Sequence, residues 1–287
     1  MNLVGRITVI ISVYNRVDVL LKALLSIQAQ SVKPFEVLLS DDGSAEDIVG
    51  AVKEQKDKYD FKIKYIAQAD KGFRLAKARN NAIRIAEGDY LVFWDQDVLA
   101  TANYLKTFSD HFREGKFLIP PDPVRLTEDQ TAAVTERMIE SCDYSQIVTA
   151  GQIRALRRRV YKDWYYYLET RYIKRNSYKP KVRGGILGIA KKDILLVDGY
   201  DENYQGWGAE DDDLGRRLYR AGIRGRNVFH KEYPLHLYHP PNKASEKSVN
   251  LDYYNKRLAE IRKGDFRAVN GLSNPLGEDE ITVNRIN

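Results

Sequence analysis

The chain has 287 residues, 43% hydrophobic and 30% charged, which is enough for one large domain with a full core or two small ones. No stretch approaches about 18 consecutive apolar residues, so no membrane-spanning helix is read; the one cysteine, Cys142, excludes an internal disulfide and fits a reducing compartment. The net charge of +6 is local: residues 154–183 hold eleven Arg or Lys against Asp163 and Glu169, a surplus of +9 that leaves −3 elsewhere, which is not a nucleic-acid footprint.

Met1–Arg6 leads straight into a strand-like run without the layout of a secretory signal, so a cytoplasmic location is expected. Ile7–Val13 (ITVIISV) is continuously apolar and β-branched, as a strand covered on both faces should be. Val17, Leu20, Leu21, Leu24, Leu25 and Gln28 form a helical stripe. Phe35–Leu39 reads as a second strand, closed by Asp41-Asp42-Gly43-Ser44 and followed by a polar helix near Glu46–Lys56. Phe61–Ile66 is a third strand, Leu75–Ala86 a helix stopped at Gly88, and Tyr90–Trp94 a fourth strand that runs into Asp95-Gln96-Asp97. This alternation predicts an α/β fold with a Rossmann-like, mostly parallel central sheet flanked by helices. Ligands of such sheets bind beyond the carboxyl ends of the strands, where Asn15, Asp41, Asp42, Asp95 and Asp97 all fall.

The second half is less regular. A helix is expected near Glu128–Glu140 and a new apolar piece at Gly184–Ala190. Further helices are expected at Glu210–Arg220, stopped by Gly222, and at Val249–Arg262, followed by a polar tail or arm. Within residues 154–175, Leu156, Val160, Trp164, Leu168 and Tyr172 recur every fourth residue among Arg157, Arg158, Arg159, Lys162, Arg171, Lys174 and Arg175. Three readings are open for that segment: an amphipathic helix on an anionic membrane, a helix packing its stripe on the domain, or a clamp for an anionic glycan.

Several clusters carry chemistry. Two carboxylates two apart at a strand end, Asp95 and Asp97, can face one hard cation, Mn²⁺ or Mg²⁺, which bridges to phosphates; the alternative is an exposed acidic turn. An acid at Asp41-Asp42 can accept from a nucleobase or ribose, or simply shape a turn. Lys71-Gly72-Phe73-Arg74 and Lys77-Ala78-Arg79 place cations between strand ends, where they can hold a diphosphate or merely be solvated. In Gly206-Trp207-Gly208-Ala209-Glu210-Asp211-Asp212-Asp213, the acids partly complement a helix dipole. The glycines around Trp207 suggest a loop closing over a sugar, with an adjacent carboxylate as general base. His236 or His239, in HLYHPP, is a candidate third metal ligand that favours Mn²⁺ over Mg²⁺.

Together, VIISVYNR (9–16), LLSDDGS (38–44), KGFRLAKARNNAI (71–83), DYLVFWDQD (89–97), the 183–222 stretch ending GWGAEDDDLGRRLYRAG, and LHLYHPPN (235–242) resemble the inverting family 2 glycosyltransferases with the GT-A fold. Chondroitin-polymerase-type domains and lipopolysaccharide or capsule enzymes are the nearest likenesses, and GWGAEDDD is also similar to the animal β-1,4-galactosyltransferases. The resemblance implies a catalytic domain over 1–245, with a nucleotide-binding part over 1–120 and an acceptor and catalytic part over 121–245 that includes the basic aromatic segment 154–181. A C-terminal helix and tail would occupy 246–287. It implies that Tyr14 and Asn15 line the nucleotide site, that Asp42 or Asp41 contacts uracil or ribose, and that Arg74 and Arg79 hold the donor. It further implies Asp97 as metal ligand, Asp95 near ribose and metal, His239 as third ligand with His236 as fallback, Trp207 over the sugar, Glu210 on acceptor or donor sugar, and Asp211 as base, with Asp212 as an alternative. The implied reaction moves a hexose or N-acetylhexosamine from a UDP-sugar to a glycan of lipopolysaccharide, capsule or another surface polysaccharide and forms a β-glycoside; the membrane reading of 154–175 would suit a lipid-linked acceptor at the inner leaflet. The rival readings are an inactive glycan-binding protein and a nucleotidyltransferase.

Overall fold

The computed structural model describes residues 5–173, 182, 185–240, 249–278 and 280–287. Parts of the expected motifs lie outside the described residues: 174–181 of the basic segment, with Lys174 and Arg175; Arg183 and Gly184; and Pro241 and Asn242.

In chain order the elements begin β1 (Ile7–Val13), α1 (Val17–Gln28), β2 (Glu36–Asp41), α2 (Ile48–Glu54), β3 (Lys62–Ala67), α3 (Leu75–Ile85) and β4 (Tyr90–Asp95). They continue with β5 (Val98–Ala100), α4 (Tyr104–His111), β6 (Lys116–Leu118), β7 (Val124–Arg125), α5 (Glu128–Ala132), α6 (Glu136–Ser141) and α7 (Ala150–Tyr172). Last come β8 (Ile186–Ala190), α8 (Lys191–Leu196), α9 (Glu210–Arg220), β9 (Arg224–Arg226), β10 (Pro234–His236), α10 (Leu251–Lys263) and β11 (Thr282–Arg285).

The main sheet has the order β11-β3-β2-β1-β4-β8-β6-β9. All of its strands but β8 and β11 share one direction. Its strands alternate between two cores. Val9, Ile11, Val37, Leu39, Val92 and Trp94 meet Leu20, Leu24 and Ile27 of α1 and Phe108 of α4. Ile10, Leu38, Leu91, Phe93, Leu187 and Ile189 meet Ala82 and Ile83 of α3, Ile194 of α8, and Leu214 and Leu218 of α9. Burial on both faces is why ITVIISV and YLVFW are apolar without alternation. A second sheet, β5-β10-β7, stands over a third core containing Leu99, Val124, Leu235 and Leu237.

Two expectations change, and one of the three open readings of α7 is narrowed. The helix expected at Glu128–Glu140 is two helices, because Thr127 and Thr135 each cap a new start by accepting from Gln130 and Met138 amides. The polar tail closes the sheet: β11 pairs antiparallel with β3 and covers an otherwise open edge. The stripe of α7 does not pack on the domain along its length. Leu156 is buried, but Trp164 is 52% exposed, and Leu168 and Tyr172 are exposed as well. Steps of four advance about 40° past a full turn, so the stripe winds away from the packed face. Asp163, Tyr166 and Tyr167 are buried instead, at helical spacing.

The four-acid run is also partly structural. Asp213 is fully buried and accepts from Arg217 Nε at 2.6 Å, while Arg217 Nη1 donates to the carbonyls of Val197 and Gly199 at 2.8 Å each. Deleting one member of such a pair strands the other in low dielectric. Arg217→Ala is therefore expected to destabilise the fold by about 3–5 kcal/mol, measured by urea denaturation; a change under about 1 kcal/mol would show that the pair is not a structural anchor.

Candidate active site

The turn at the end of β4 is fixed from below. Trp94 is fully buried, and its indole N–H donates to Val98 O at 2.7 Å across the turn. Gln96, which the sequence reading left without a role, clamps the end of β1: Tyr14 N donates to Gln96 Oε1 at 3.1 Å, and Gln96 Nε2 donates to Tyr14 O at 3.2 Å. Asp97, between this turn and β5, is buried.

β10 brings the histidines. It pairs antiparallel with β5, with His236 opposite Val98, and Leu237 N donates to Asp97 O at 2.9 Å. His236 Nε2 then lies 3.6 Å from Asp97 Oδ1, and His239 Nε2 lies 3.6 Å from Asp97 Oδ2. Each ring turns Nδ1 to a carbonyl: His236 to Leu237 O at 2.7 Å, His239 to Pro240 O at 2.9 Å. A carbonyl can only accept, so Nδ1 carries the proton and Nε2 presents its lone pair toward Asp97. Burial lowers the pKa of His236, against the pull of Asp97. One carboxylate oxygen and two imidazole nitrogens thus lie within 4.8 Å of one another. This set fits a divalent cation, with small inward movement and positions left open for a ligand. Both histidines converge on Asp97.

A second line of charge runs from this turn to α9. Arg79 of α3 is only 2% exposed. Its Nη2 lies 3.7 Å from Asp95 Oδ1, its Nη1 3.3 Å from Asp211 Oδ1, and its carbon Cζ 5.2 Å from the Tyr200 ring centre. Arg79 therefore supports two candidate site acids from behind. Enclosure, with Asp97 and Asp211 close by, lifts the Asp95 carboxyl to about 6 against the pull of Arg79. Burial likewise raises Glu210, again opposed by Arg79. Asp213 is committed to Arg217, whereas Asp211 faces Arg79, which also lies beside Asp95. The loop before α9 has φ of 76° at Gly206, 102° at Gly208 and 75° at Ala209. It is tied down by Gly206 N to Phe73 O at 2.8 Å and Asn250 Nδ2 to Gly208 O at 2.9 Å. Trp207, 51% exposed, projects from it.

The remaining candidates have partners within the protein. Asn15 is a brace: its Oδ1 accepts from Ala45 N at 2.9 Å, and its own N–H donates to Ser44 Oγ at 2.7 Å. Asp41 organises the turn after β2, accepting from Gly43 N, Ser44 N and Tyr65 Oη. Asp42 accepts from Gln68 Nε2 and Arg74 N at 2.6 Å each. Arg74 is buried, with its guanidinium on Ala69 O. Tyr14 is exposed, and its hydroxyl donates to Asp70 at 3.2 Å. Arg16, to which the sequence reading gave no role, donates to Asp97 Oδ2 at 2.9 Å.

A parallel-sheet end carrying an Asp-X-Asp turn, with a divalent-cation set beside it, defines a glycosyltransferase-type α/β architecture of the GT-A fold. The chain superposes on TarS of S. aureus in complex with UDP-GlcNAc with a TM-score of 0.59 at 18% identity, covering 93% of this chain and 68% of that one. GalNAc-T7 with UDP, GalNAc and Mn²⁺ gives 0.56 at 16% identity, covering 90% and 50%. Residues 8–164, more than half of the chain, match Glycosyl transferase family 2, and the protein belongs to that family. Residues 166–240 match the N-terminal domain of galactosyltransferase. The chain is 28% identical over 285 residues to validoxylamine A glucosyltransferase of Streptomyces hygroscopicus subsp. jinggangensis, covering 92% of this chain and 63% of that one. It is 26% identical over 258 residues to chondroitin synthase of Escherichia coli (85% and 36%) and 25% identical over 280 residues to hyaluronan synthase of Pasteurella multocida (89% and 27%). The chain thus spans between 27% and 63% of the length of these relatives.

Gly185 gives a direct test of the Asp95 position. A Cβ there would stand 1.8 Å from Asp95 Oδ2, so any side chain displaces the carboxylate. Misplacement of about 1 Å in a preorganised site costs about 10²-fold in rate. Gly185→Ala is expected to keep its circular dichroism spectrum and to lose turnover by that factor in a UDP-release assay; full turnover would remove Asp95 from the site.

Proposed function

We propose that the protein is an inverting, Mn²⁺-dependent hexosyltransferase that moves a hexose or N-acetylhexosamine from a UDP-sugar to a glycan acceptor. One observation carries this reading. The buried Arg79 lies within 4 Å of both Asp95 and Asp211, and Asp95 opens the turn that carries Asp97 of the Asp97–His236–His239 set. Two imidazoles with one carboxylate favour Mn²⁺ over Mg²⁺. When bound, such an ion neutralises charge on the departing diphosphate. Asp211 takes the proton of an acceptor hydroxyl. The freed oxygen attacks the anomeric carbon from the face opposite the diphosphate, the bond from that carbon to the phosphate oxygen breaks, and UDP departs. An α-linked donor gives a β-glycoside. Glu210, beside this acid, holds the sugar hydroxyls, and Trp207 covers the sugar ring. Asp42 and Tyr14 contact the nucleoside in this reading.

The support from relatives is in their names, a hyaluronan synthase, a chondroitin synthase and a glucosyltransferase, and the two synthases support a polysaccharide acceptor. A panel of UDP-sugars should show Mn²⁺-dependent UDP release for one hexose class, abolished by EDTA and restored by Mn²⁺. Asp211→Asn should lose at least about 10²-fold in transfer while retaining UDP binding; transfer at the wild-type rate would reassign the base.

We also propose that α7 rests on an anionic membrane at the cytoplasmic face, close to a lipid-linked acceptor. Tyr161 is 73% exposed, Trp164, Tyr165, Leu168 and Tyr172 are exposed too, and Arg154, Arg157, Arg158, Arg159 and Lys162 surround them. Aromatic rings at the headgroup level and cations toward anionic lipid favour this contact. No described helix is long and apolar enough to cross a membrane. The protein should float with phosphatidylglycerol liposomes and stay at the bottom with phosphatidylcholine alone; Trp164→Glu should abolish flotation. Equal behaviour on both liposomes would discard the contact.

A further inference from the structure

Arg16 stands at the N-terminus of α1, where Ser, Thr, Asp or Asn would ordinarily cap, and its side chain makes no capping bond. Asn15 and Arg16 both have left-handed backbones, with φ of 52° and 55°. Asn tolerates that region and Arg does so uncommonly. The turn is held from outside. Glu46 Oε1 accepts from Arg16 N and Glu46 Oε2 from Val17 N, each at 2.9 Å. These backbone donors hold the Glu46 carboxyl below its ordinary range. The helix start is thus capped by another segment, and the Arg16 side chain is released to reach Asp97.

It reaches one of the two Asp97 oxygens that face the imidazoles. Asp97 Oδ2 accepts from Arg16 Nη2 at 2.9 Å and also faces His239 Nε2 at 3.6 Å. A guanidinium is always protonated and cannot join a coordination shell, so it and a divalent cation compete for that oxygen. Arg16 is not locked in place; its side chain is 38% exposed, against 2% for Arg79.

We propose that Arg16 is an exchangeable counter-ion of Asp97: it pairs with the carboxylate until a divalent cation takes Oδ2, and then turns to the diphosphate of the donor. This rests on the metal and UDP-sugar reading above and adds to it a reciprocal coupling between cation and nucleotide. A side chain that opposes the cation alone and assists the nucleotide afterwards makes each ligand strengthen the other.

Mn²⁺ binding measured by calorimetry or by loss of the free-ion electron paramagnetic resonance signal tests this without any turnover. Arg16→Gln keeps the backbone amide that Glu46 holds. It should bind Mn²⁺ alone more tightly than wild type, by about fivefold or more, and should show a smaller gain in Mn²⁺ affinity when UDP is added. Arg16→Lys, which keeps the charge, should follow wild type for Mn²⁺ alone. Unchanged or weaker Mn²⁺ binding by Arg16→Gln, or Arg16→Lys behaving like it, overturns the counter-ion proposal and leaves the metal site standing. If wild type and Arg16→Gln both fail to bind Mn²⁺ while Asp97→Asn changes nothing, the metal site itself falls, and the proposal with it.

Discussion

A buried guanidinium makes the site possible. Asp95, Asp97, Glu210 and Asp211 are gathered at one end of a sheet, where like charges in a partly dry pocket repel one another. Arg79 stands behind Asp95 and Asp211, lies over the Tyr200 ring, and donates toward Ser12 of β1 at 3.4 Å. Because Arg stays charged when buried, it offsets that repulsion permanently and needs no bound ion to do so. The acids are therefore held in place before any ligand arrives, which is the condition for electrostatic preorganisation. Arg16 and Arg79 differ in exposure: Arg79 is enclosed, and Arg16 is accessible where it meets Asp97.

The two sheets have separate tasks. The main sheet delivers Asp95 at the end of β4, and the small sheet delivers the imidazoles. The chain crosses between them in the two residues Gln96 and Asp97, so a single turn carries the whole alignment. Trp94 below, Gln96 toward β1 and Leu237 above restrain it. His236 and His239 then need no long-range aim of their own. Antiparallel pairing of β10 with β5 sets His236, and one further turn of chain sets His239.

The nucleotide half of the fold was legible in the sequence because its signals are local. Continuous apolar runs reported strands covered on both faces, helical stripes reported helices, and acids at successive strand ends reported the ligand-binding edge. Local periodicity failed where packing partners decide. In α7 a spacing of four looks like one face but winds around the helix, and the inward residues include a charge, Asp163, that no hydrophobic pattern would select. The tail looked like an arm because the partner that makes it a strand, β3, lies more than 200 residues earlier. Thr127 and Thr135 were readable as caps, and with them the break between α5 and α6.

Among the site residues, sequence chemistry selected types and tertiary structure assigned duties. The acids, imidazoles and glycines needed for a cation, a base and a tight approach are all recognisable from their spacing. Which of them face ligand and which face protein is not, because that depends on contacts across the chain. Asn15, Asp41 and Arg74 are taken up in bracing loops, and Asp213 is spent on Arg217. Arg16, a lone surface-type cation in the sequence, meets Asp97 across 81 residues. The sequence by itself determined the layered α/β architecture, through short-range patterns of burial. Only the tertiary structure decided the convergence of Asp97, His236, His239 and Arg16, and the meeting of Asp211 with Arg79, because charge pairing acts through space and leaves no period in the chain.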